Sequence, residues 1–366
     1  MRHIGIVGCG SISRIHAHVI SQLNNAELTA AFSRTDERRK AFCKEFDIEG
    51  YSDFDQFLRH DPLDMVVLCT PNGTHLDYGM PAADAGKDLI IEKPLEINTN
   101  RGRRLIEHCR KMGVQLAVIY QNRFIESVQS MKQKIDDGLI GNIIMVSASI
   151  KWYREQSYYN DNPWRGSLEL DGGGALINQG IHTVDLLYWL AGPVAAVQAF
   201  KGTFTHEGIS GEDNLTAALE FENGALGVLQ ASTSITPAQN RIIEINGTKG
   251  TIILDGDHLE VKLNNMPGHD DTDTSKKPNN SKMEALGQSE SFTESKSTQK
   301  ASAGSTSPMA GLKGVDHLLQ YRTILDHLEK GMEPVVSGHE SLQSLAIVEA
   351  LYRSADTRRV TSPKDM

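Results

Sequence analysis

A glycine-spaced turn close to the start of the chain is the first feature that could do chemistry. Gly8-Cys9-Gly10-Ser11-Ile12-Ser13 follows the apolar run Ile4-Gly5-Ile6-Val7 and opens a stretch of helical periodicity. Gly8 allows a tight turn, and Gly10 lets the backbone approach a pyrophosphate. The helix start at Ser11 and Ile12 then offers free N–H groups and a positive dipole end. Ser13 takes the place where a third small residue lets helix and strand pack closely. A second signal lies at the end of the next apolar run, where Ser33 and Arg34 stand in place of an acidic residue. A carboxylate there accepts the ribose hydroxyls of NAD, whereas a guanidinium suits the 2′-phosphate of NADP. The pair favours NADP over NAD, with a solvated surface charge as the plain alternative for Arg34.

These residues need elements to position them. Apolar runs at Ile4–Val7, Leu28–Phe32, Met65–Cys69, Leu89–Ile91 and Gln115–Ile119 alternate with helical periodicity at Ile12–Leu23, Glu37–Phe46, His75–Ala85 and Thr99–Met112. That rhythm predicts parallel βαβ units in a doubly wound Rossmann sheet over residues 1–122. From 123 to 366 the texture changes. One helix is expected at Ile125–Asp136 and another ending at Leu190. Between and after them come strand-like runs at Ile143–Lys151, Val194–Phe204, Leu215–Phe221, Leu226–Ser234, Ile242–Asn246, Thr251–Leu254 and Leu259–Leu263. Asn223-Gly224, Asn246-Gly247 and Asp255-Gly256 are hairpin signals between them. The reading is an α+β domain with an open, mainly antiparallel sheet. Residues 264–314 form a polar excursion short of apolar surface. Helical periodicity returns at Val315–Glu329 and Ser341–Ala355.

Composition limits the partners. The 366 residues carry 37 Lys and Arg against 47 Asp and Glu, a net charge of −10, with no long basic run. Nucleic acid and anionic membranes are therefore poor partners. No stretch is long and apolar enough to span a bilayer. The four cysteines are scattered through the first third, and the 13 histidines show no ligand spacing, so no metal is expected. The N-terminus reads as the start of a strand rather than a leader, so a cytoplasmic setting with reduced thiols is expected.

Three further motifs carry a family likeness. They are Cys69-Thr70-Pro71-Asn72-Gly73-Thr74-His75, Glu92-Lys93-Pro94, and Gly172-Gly173-Gly174-Ala175-Leu176-Ile177-Asn178-Gln179-Gly180-Ile181-His182. In this order they resemble the glucose–fructose oxidoreductase, inositol dehydrogenase and MocA family, over nearly the whole chain. The resemblance implies an NAD(P)-dependent oxidoreductase with its site between the two domains. It would move hydride between a nicotinamide and an alcohol carbon of a sugar, cyclitol or nucleotide sugar. By resemblance, Lys93 lies beside the reacting hydroxyl, Pro94 follows a cis bond that aims it, and His182 is the acid–base group. An ammonium stabilises a developing oxyanion, and an imidazole titrates near neutrality.

Asn178 stands four residues before His182, on the same helix face, where many relatives carry Asp. It cannot serve as a base and would orient substrate or cofactor. Asn-Gln at this point is similar to a subgroup acting on N-acetylated uronic-acid nucleotide sugars. Asp185, one turn after His182, either orients it or serves the helix. Thr70, Pro71, Asn72, His75, Glu92, Gln121, Trp164 and Arg165 are expected at the cofactor. Arg123 and Tyr158 are expected at the substrate, beside Lys93, Asn178 and His182. A homodimer or homotetramer is implied. Two rival activities share the scaffold: an NAD-dependent glycoside hydrolase and a non-catalytic cofactor sensor.

Overall fold

The computed structural model describes residues 1–264, 291–293 and 314–366. Apart from its ends and residues 291–293, the polar stretch read over 264–314 lies outside the described residues.

The first half builds β1 (Arg2–Val7), α1 (Ser11–Ile20), β2 (Ala26–Phe32), α2 (Asp36–Phe46), β3 (Glu49–Tyr51), α3 (Phe54–Leu58) and β4 (Met65–Leu68). It continues with α4 (His75–Asp84), β5 (Asp88–Ile91), α5 (Thr99–Met112) and β6 (Leu116–Val118). The strands are all parallel in the order β3-β2-β1-β4-β5-β6. Central β4 reads Met-Val-Val-Leu and is buried at every position, as a strand covered on both faces must be. Local chemistry ends the helices. Asn98 caps α5 by accepting from the Arg101 amide at 2.9 Å, and Gly113 closes it at φ +72°.

The second half builds α6 (Glu126–Asp136), β7 (Ile143–Lys151), α7 (Gln156–Asn160), a π turn (Leu176–Gly180) that runs into α8 (Ile181–Ala191), and β8 (Val194–Gly202). Next come β9 (Asn214–Phe221), β10 (Leu226–Ser232), β11 (Ile242–Gly247), β12 (Gly250–Asp255), β13 (His258–Leu263) and β14 (Ser291–Thr293). Two helices close the chain, α9 (Val315–Glu329) and α10 (Gly338–Thr357). The sheet order is β14-β13-β12-β11-β7-β10-β9-β8. Every pair is antiparallel except β7 with β10. Strands β9 and β10 alternate buried and exposed residues, so the sheet has one covered face, which α8 meets at β7 and β11 and α10 meets at β8, and one open face.

Three details depart from the sequence reading. Strand β3 reads Glu-Gly-Tyr, with no apolar run to mark it, and helix α3 spans five residues, too few to show a period, so the sequence reading has neither. Asn246-Gly247 marks the β11–β12 hairpin without being its tip: Asn246 is the last residue paired with β12, Gly247 still pairs with β7 across a register shift, and Thr248-Lys249 turn the chain. Helix α9 packs on α1, and its Tyr321, Ile324 and Leu325 share a core with Ile4, Ile6 and Ile15. The chain thus returns to the first sheet after building the second.

Candidate active site

A cleft of about 1200 Å³ runs between the two sheets. The loop after β1 forms its floor. Gly8 sits at φ +97°, and a Cβ there would lie 2.8 Å from the Cys69 carbonyl, so only glycine fits. At Gly10 an added Cβ would meet no protein atom within 4 Å, because that side of the loop faces the open cleft. Ser13 is fully buried and donates to the Gly10 carbonyl at 2.6 Å. No side chain caps α1, so its first N–H groups remain available at the loop. An open backbone cradle at an uncapped helix start fits a dinucleotide pyrophosphate.

Gly8, Gly10, Ser11, Ile12, Ser33, Arg34, Thr70, Pro71, Asn72, Glu92, Lys93, Gln121, Trp164 and Arg165 all line this cleft, as do Tyr158, Asn178 and His182. Two expected residues do not. His75 is fully buried and bonds the backbone oxygens of Thr70, Pro94 and Leu95. It pins the two turns that carry Thr70 and Lys93 instead of touching a ligand. Arg123 is 2% exposed and forms a bidentate pair with Asp185 at 2.8 and 2.7 Å, with Glu340 at 3.1 Å. Burial would push its guanidinium down, but the Asp185 and Glu340 carboxylates raise it above the ordinary value, so the pair is ionic. That pairing also removes Asp185 from any role at His182, since its other partner is Ser344 at 3.0 Å.

The reactive groups meet at the end of β5. The Lys93–Pro94 bond is cis. Lys93 Nζ donates to the Asn178 carbonyl at 2.8 Å, which holds the ammonium against the π turn before α8. Burial lowers its pKa, the Glu92 and Asp171 carboxylates oppose that shift, and Arg165 and Arg154 add to it. His182 lies one turn along. Its pKa is well below the usual value because burial, Lys93, Arg241 and His317 disfavour a second positive charge, against Glu92. At physiological pH it is therefore a neutral imidazole with an unprotonated ring nitrogen, and a weaker base than the near-neutral titration expected from the sequence. Its Nδ1 is buried and has no hydrogen-bond partner among the described residues.

Glu92 is tied to the first domain. Burial pushes it up, but the His16 bond at 2.8 Å and the nearby charges of His16, His317 and Lys93 hold it at about 2. His16 reaches the Tyr321 hydroxyl at 2.7 Å through its other nitrogen, so α9 is stitched to α1 beside the cleft. His16, Glu92 and His317 offer ligand atoms within 4.8 Å of one another, a grouping from three distant segments that sequence spacing could not reveal.

A second layer carries Asn178. Its amide nitrogen donates to both Asp171 oxygens, at 2.9 and 2.7 Å, and its oxygen accepts from the Tyr158 hydroxyl at 2.9 Å. The Tyr158 oxygen accepts from Gln179 at 2.7 Å, and Gln179 accepts from Arg154 at 2.9 Å. Arg165 stacks on the Tyr158 ring, 4.0 Å from its centroid. Arg154, Asp171 and Arg241 were missed from the sequence. Arg154 and Arg241 lie far from the three motifs, and Asp171 directly precedes the third, whose glycines do not say what an acidic neighbour bonds.

The cradle, the ammonium and the neutral imidazole define a two-domain, nicotinamide-dependent oxidoreductase. Family comparison agrees along the chain. Residues 2–120 match the oxidoreductase family's NAD-binding Rossmann fold, and residues 132–362 match its C-terminal alpha/beta domain. The chain belongs to the Gfo/Idh/MocA oxidoreductase family and is an NAD(P)-dependent dehydrogenase or reductase.

Among relatives, it is 26% identical to a D-apiose dehydrogenase of Paraburkholderia graminis, across 99% of this chain and 89% of that protein. The WlbA dehydrogenase of Bordetella pertussis, solved with NADH and UDP-GlcNAcA, superposes with a TM-score of 0.82 at 31% identity, over 99% and 98% of the two chains. The WlbA dehydrogenase of Chromobacterium violaceum, solved with the same two ligands, gives 0.80 at 27%, over 99% and 95%. Among the described residues no helix is long and apolar enough to cross a membrane.

Proposed function

We propose that this protein transfers hydride between a nicotinamide and a hydroxyl-bearing carbon of a nucleotide-linked sugar acid. The nicotinamide, when bound, accepts or donates the hydride. Lys93 then holds the substrate oxygen and stabilises its negative charge, and neutral His182 takes the hydroxyl proton through the imidazole. Tyr158 and Asn178 fix the sugar's orientation.

One observation carries the substrate class. In a chain of net charge −10, the cleft around Lys93 gathers Arg154, Arg165 and Arg241, with Glu92, Asp161, Asp257 and Asp316 also in its lining and Arg241 paired with Asp257 at 3.8 Å. A neutral cyclitol needs no such cationic wall, whereas a carboxylate or a diphosphate does. The complexes of both WlbA enzymes with UDP-GlcNAcA support the same class. The deciding assay offers NAD⁺ or NADP⁺ with UDP-linked sugar acids, neutral sugars and inositols, and follows absorbance at 340 nm. Turnover of UDP-GlcNAcA above the neutral compounds supports the reading, and preference for a neutral sugar defeats it. Release of a chromogenic aglycone with no added cofactor and no net change at 340 nm would make it a glycoside hydrolase instead.

Cofactor choice belongs to the same proposal. Arg34 and Arg38 line the cleft at the end of β2, and the neighbouring Asp36 is paired with Arg39 and Lys40. That favours NADP, although the two WlbA relatives were solved with NADH. Arg34→Ala is expected to weaken NADPH binding about fivefold and leave NADH unchanged; equal loss of both would remove the preference.

A cytoplasmic homo-oligomer completes the proposal. Met145, Leu226, Val228 and Phe200 are about half exposed on the open face of the second sheet, an apolar stripe that suits a second copy. A monomer by light scattering would contradict it.

A further inference from the structure

We propose that Asp171 is the positioning carboxylate of this site, fixing Asn178 as an acceptor and tying the turn at Asn72 to the helix of His182. The inference rests on the functional reading above and deepens it.

Asp171 is fully buried in the loop before the glycine run. Its Oδ1 accepts from Asn72 Nδ2 at 2.8 Å and from Asn178 Nδ2 at 2.9 Å. Its Oδ2 accepts from Asn178 Nδ2 at 2.7 Å and from the Gly166 amide at 2.8 Å. A carboxylate is acceptor-only, so both asparagines must turn their NH₂ groups toward it. Flipping Asn178 would set its oxygen against two carboxylate oxygens. Its Oδ1 is thereby aimed the other way, at Tyr158, as a fixed acceptor beside Lys93.

The same segment clasps the first domain. The Gly73 amide donates to the Leu170 carbonyl at 2.9 Å, and Asn72 donates again to the Asp171 carbonyl at 2.9 Å. A Cβ on Gly73 would lie 2.3 Å from the Glu169 carbonyl, so the approach is as close as glycine permits. Asn72 lines the cofactor cleft, and Asn178 lines it from the opposite domain. Among the described residues, Asp171 is the one group bonded to both.

The groups facing Asp171 are Lys93 from the end of β5, Arg165 from its own loop, and Tyr158 and Tyr159 from α7. Burial raises its pKa, and the Gly166 amide, Asn178, Lys93 and Arg165 pull it back, to about 6. Above that value Asp171 accepts from both asparagines. Below it, the added proton turns one acceptor into a donor and loosens Asn178.

The test relocates the charge, with Asp171→Asn, Asn178→Asp and the double variant. Asp171→Asn is expected to lower kcat about tenfold or more with little change in KM, and to abolish the acid limb near pH 6. Asn178→Asp places two carboxylates in contact, so one takes up a proton and the acid limb moves up by about one unit or more. The double variant restores one carboxylate and one amide, and recovers about tenfold over Asp171→Asn.

Hydrogen exchange at the Gly73 amide reads the clasp without turnover, and is expected to quicken about fivefold or more in Asp171→Asn. Wild-type kcat and pH profile in Asp171→Asn, or a double variant no better than it, would overturn the proposal. Should Asp171→Asn fail to fold, an unmoved acid limb in Asn178→Asp has the same force. Should the wild type turn over none of the sugars, the functional reading fails by itself, and unchanged Gly73 exchange would then overturn the clasp.

Discussion

The two walls of the cleft are built on different principles. The dinucleotide wall, from Gly8 to Ser13, works through backbone: one left-handed glycine, one open glycine and an uncapped helix start. Its geometry is local and is written within six consecutive residues. The substrate wall works through side chains. Lys93 from the end of β5, Tyr158 from α7 and the stretch from Asp171 to His182 come from three segments, and Lys93, Tyr158, Asp171 and Asn178 are linked by a chain of hydrogen bonds. A backbone site tolerates change everywhere except at its glycines. A side-chain network transmits any single loss along its bonds.

Four outcomes would break or sharpen that contrast. The largest falls on the substrate wall. Lys93→Met or His182→Ala is expected to lower kcat by about 10²–10⁴ while cofactor binding persists, because neither residue builds the cradle. Fluorescence titration with NADH alongside steady-state rates checks this, and full residual turnover in both would remove the assignment.

Next comes Arg123, which serves neither wall. Arg123→Ala leaves Asp185 buried and unpaired, an expected loss of about 3–5 kcal/mol in denaturant unfolding. KM for the folded enzyme is expected to stay constant. A changed KM with intact stability would return Arg123 to the substrate.

On the cofactor wall, Gly8→Ala must hold φ +97° with a Cβ against the Cys69 carbonyl. The expected strain is about 1–3 kcal/mol, together with weakened cofactor binding. An isothermal titration equal to wild type would show that the loop does not need its glycine.

The last outcome is a pH slope, felt only across one pH range. Glu212 accepts from the Gly174 and Leu176 amides at 3.0 and 2.8 Å and from the Tyr352 hydroxyl at 3.0 Å, fixing the start of the π turn. Burial raises its pKa from 4.5 to about 7, against the pull of those bonds. With the folded value above the unfolded one, its contribution to stability is fully present below pH 4.5 and lost as pH rises to about 7. The span is about 3 kcal/mol. Glu212→Gln is expected to flatten that part of the stability profile, and an unchanged slope would place the proton elsewhere.

The same contrast explains what the sequence could show. The strand–loop–helix at Gly8, the parallel strands other than β3 and the helix at Val315–Glu329 were legible because local apolar runs and periodicity dictate them. Lys93, Asn178 and His182 were legible through motifs, and all three line one cleft. Arg123 was misread because a position just after a strand does not say which way its side chain turns. The direction was decided by Asp185, 62 residues away. Asp171 went unseen because its asparagine partners lie 99 and 7 residues distant, and a buried carboxylate looks like any other acidic residue in a polar loop. The return of α9 to the first sheet was hidden likewise, since periodicity shows that a face is apolar and not what covers it.

The central proposal is that the substrate wall and the backbone cradle together move hydride between a nicotinamide and a nucleotide-linked sugar acid. It is tested most directly by mixing purified protein with NAD⁺ or NADP⁺ and UDP-GlcNAcA and recording absorbance at 340 nm, with the Lys93→Met variant as control. A rise in the wild type that is lost in the variant, with the variant still binding cofactor, is the predicted result. No rise with either cofactor, or an equal rise in the variant, would contradict the account.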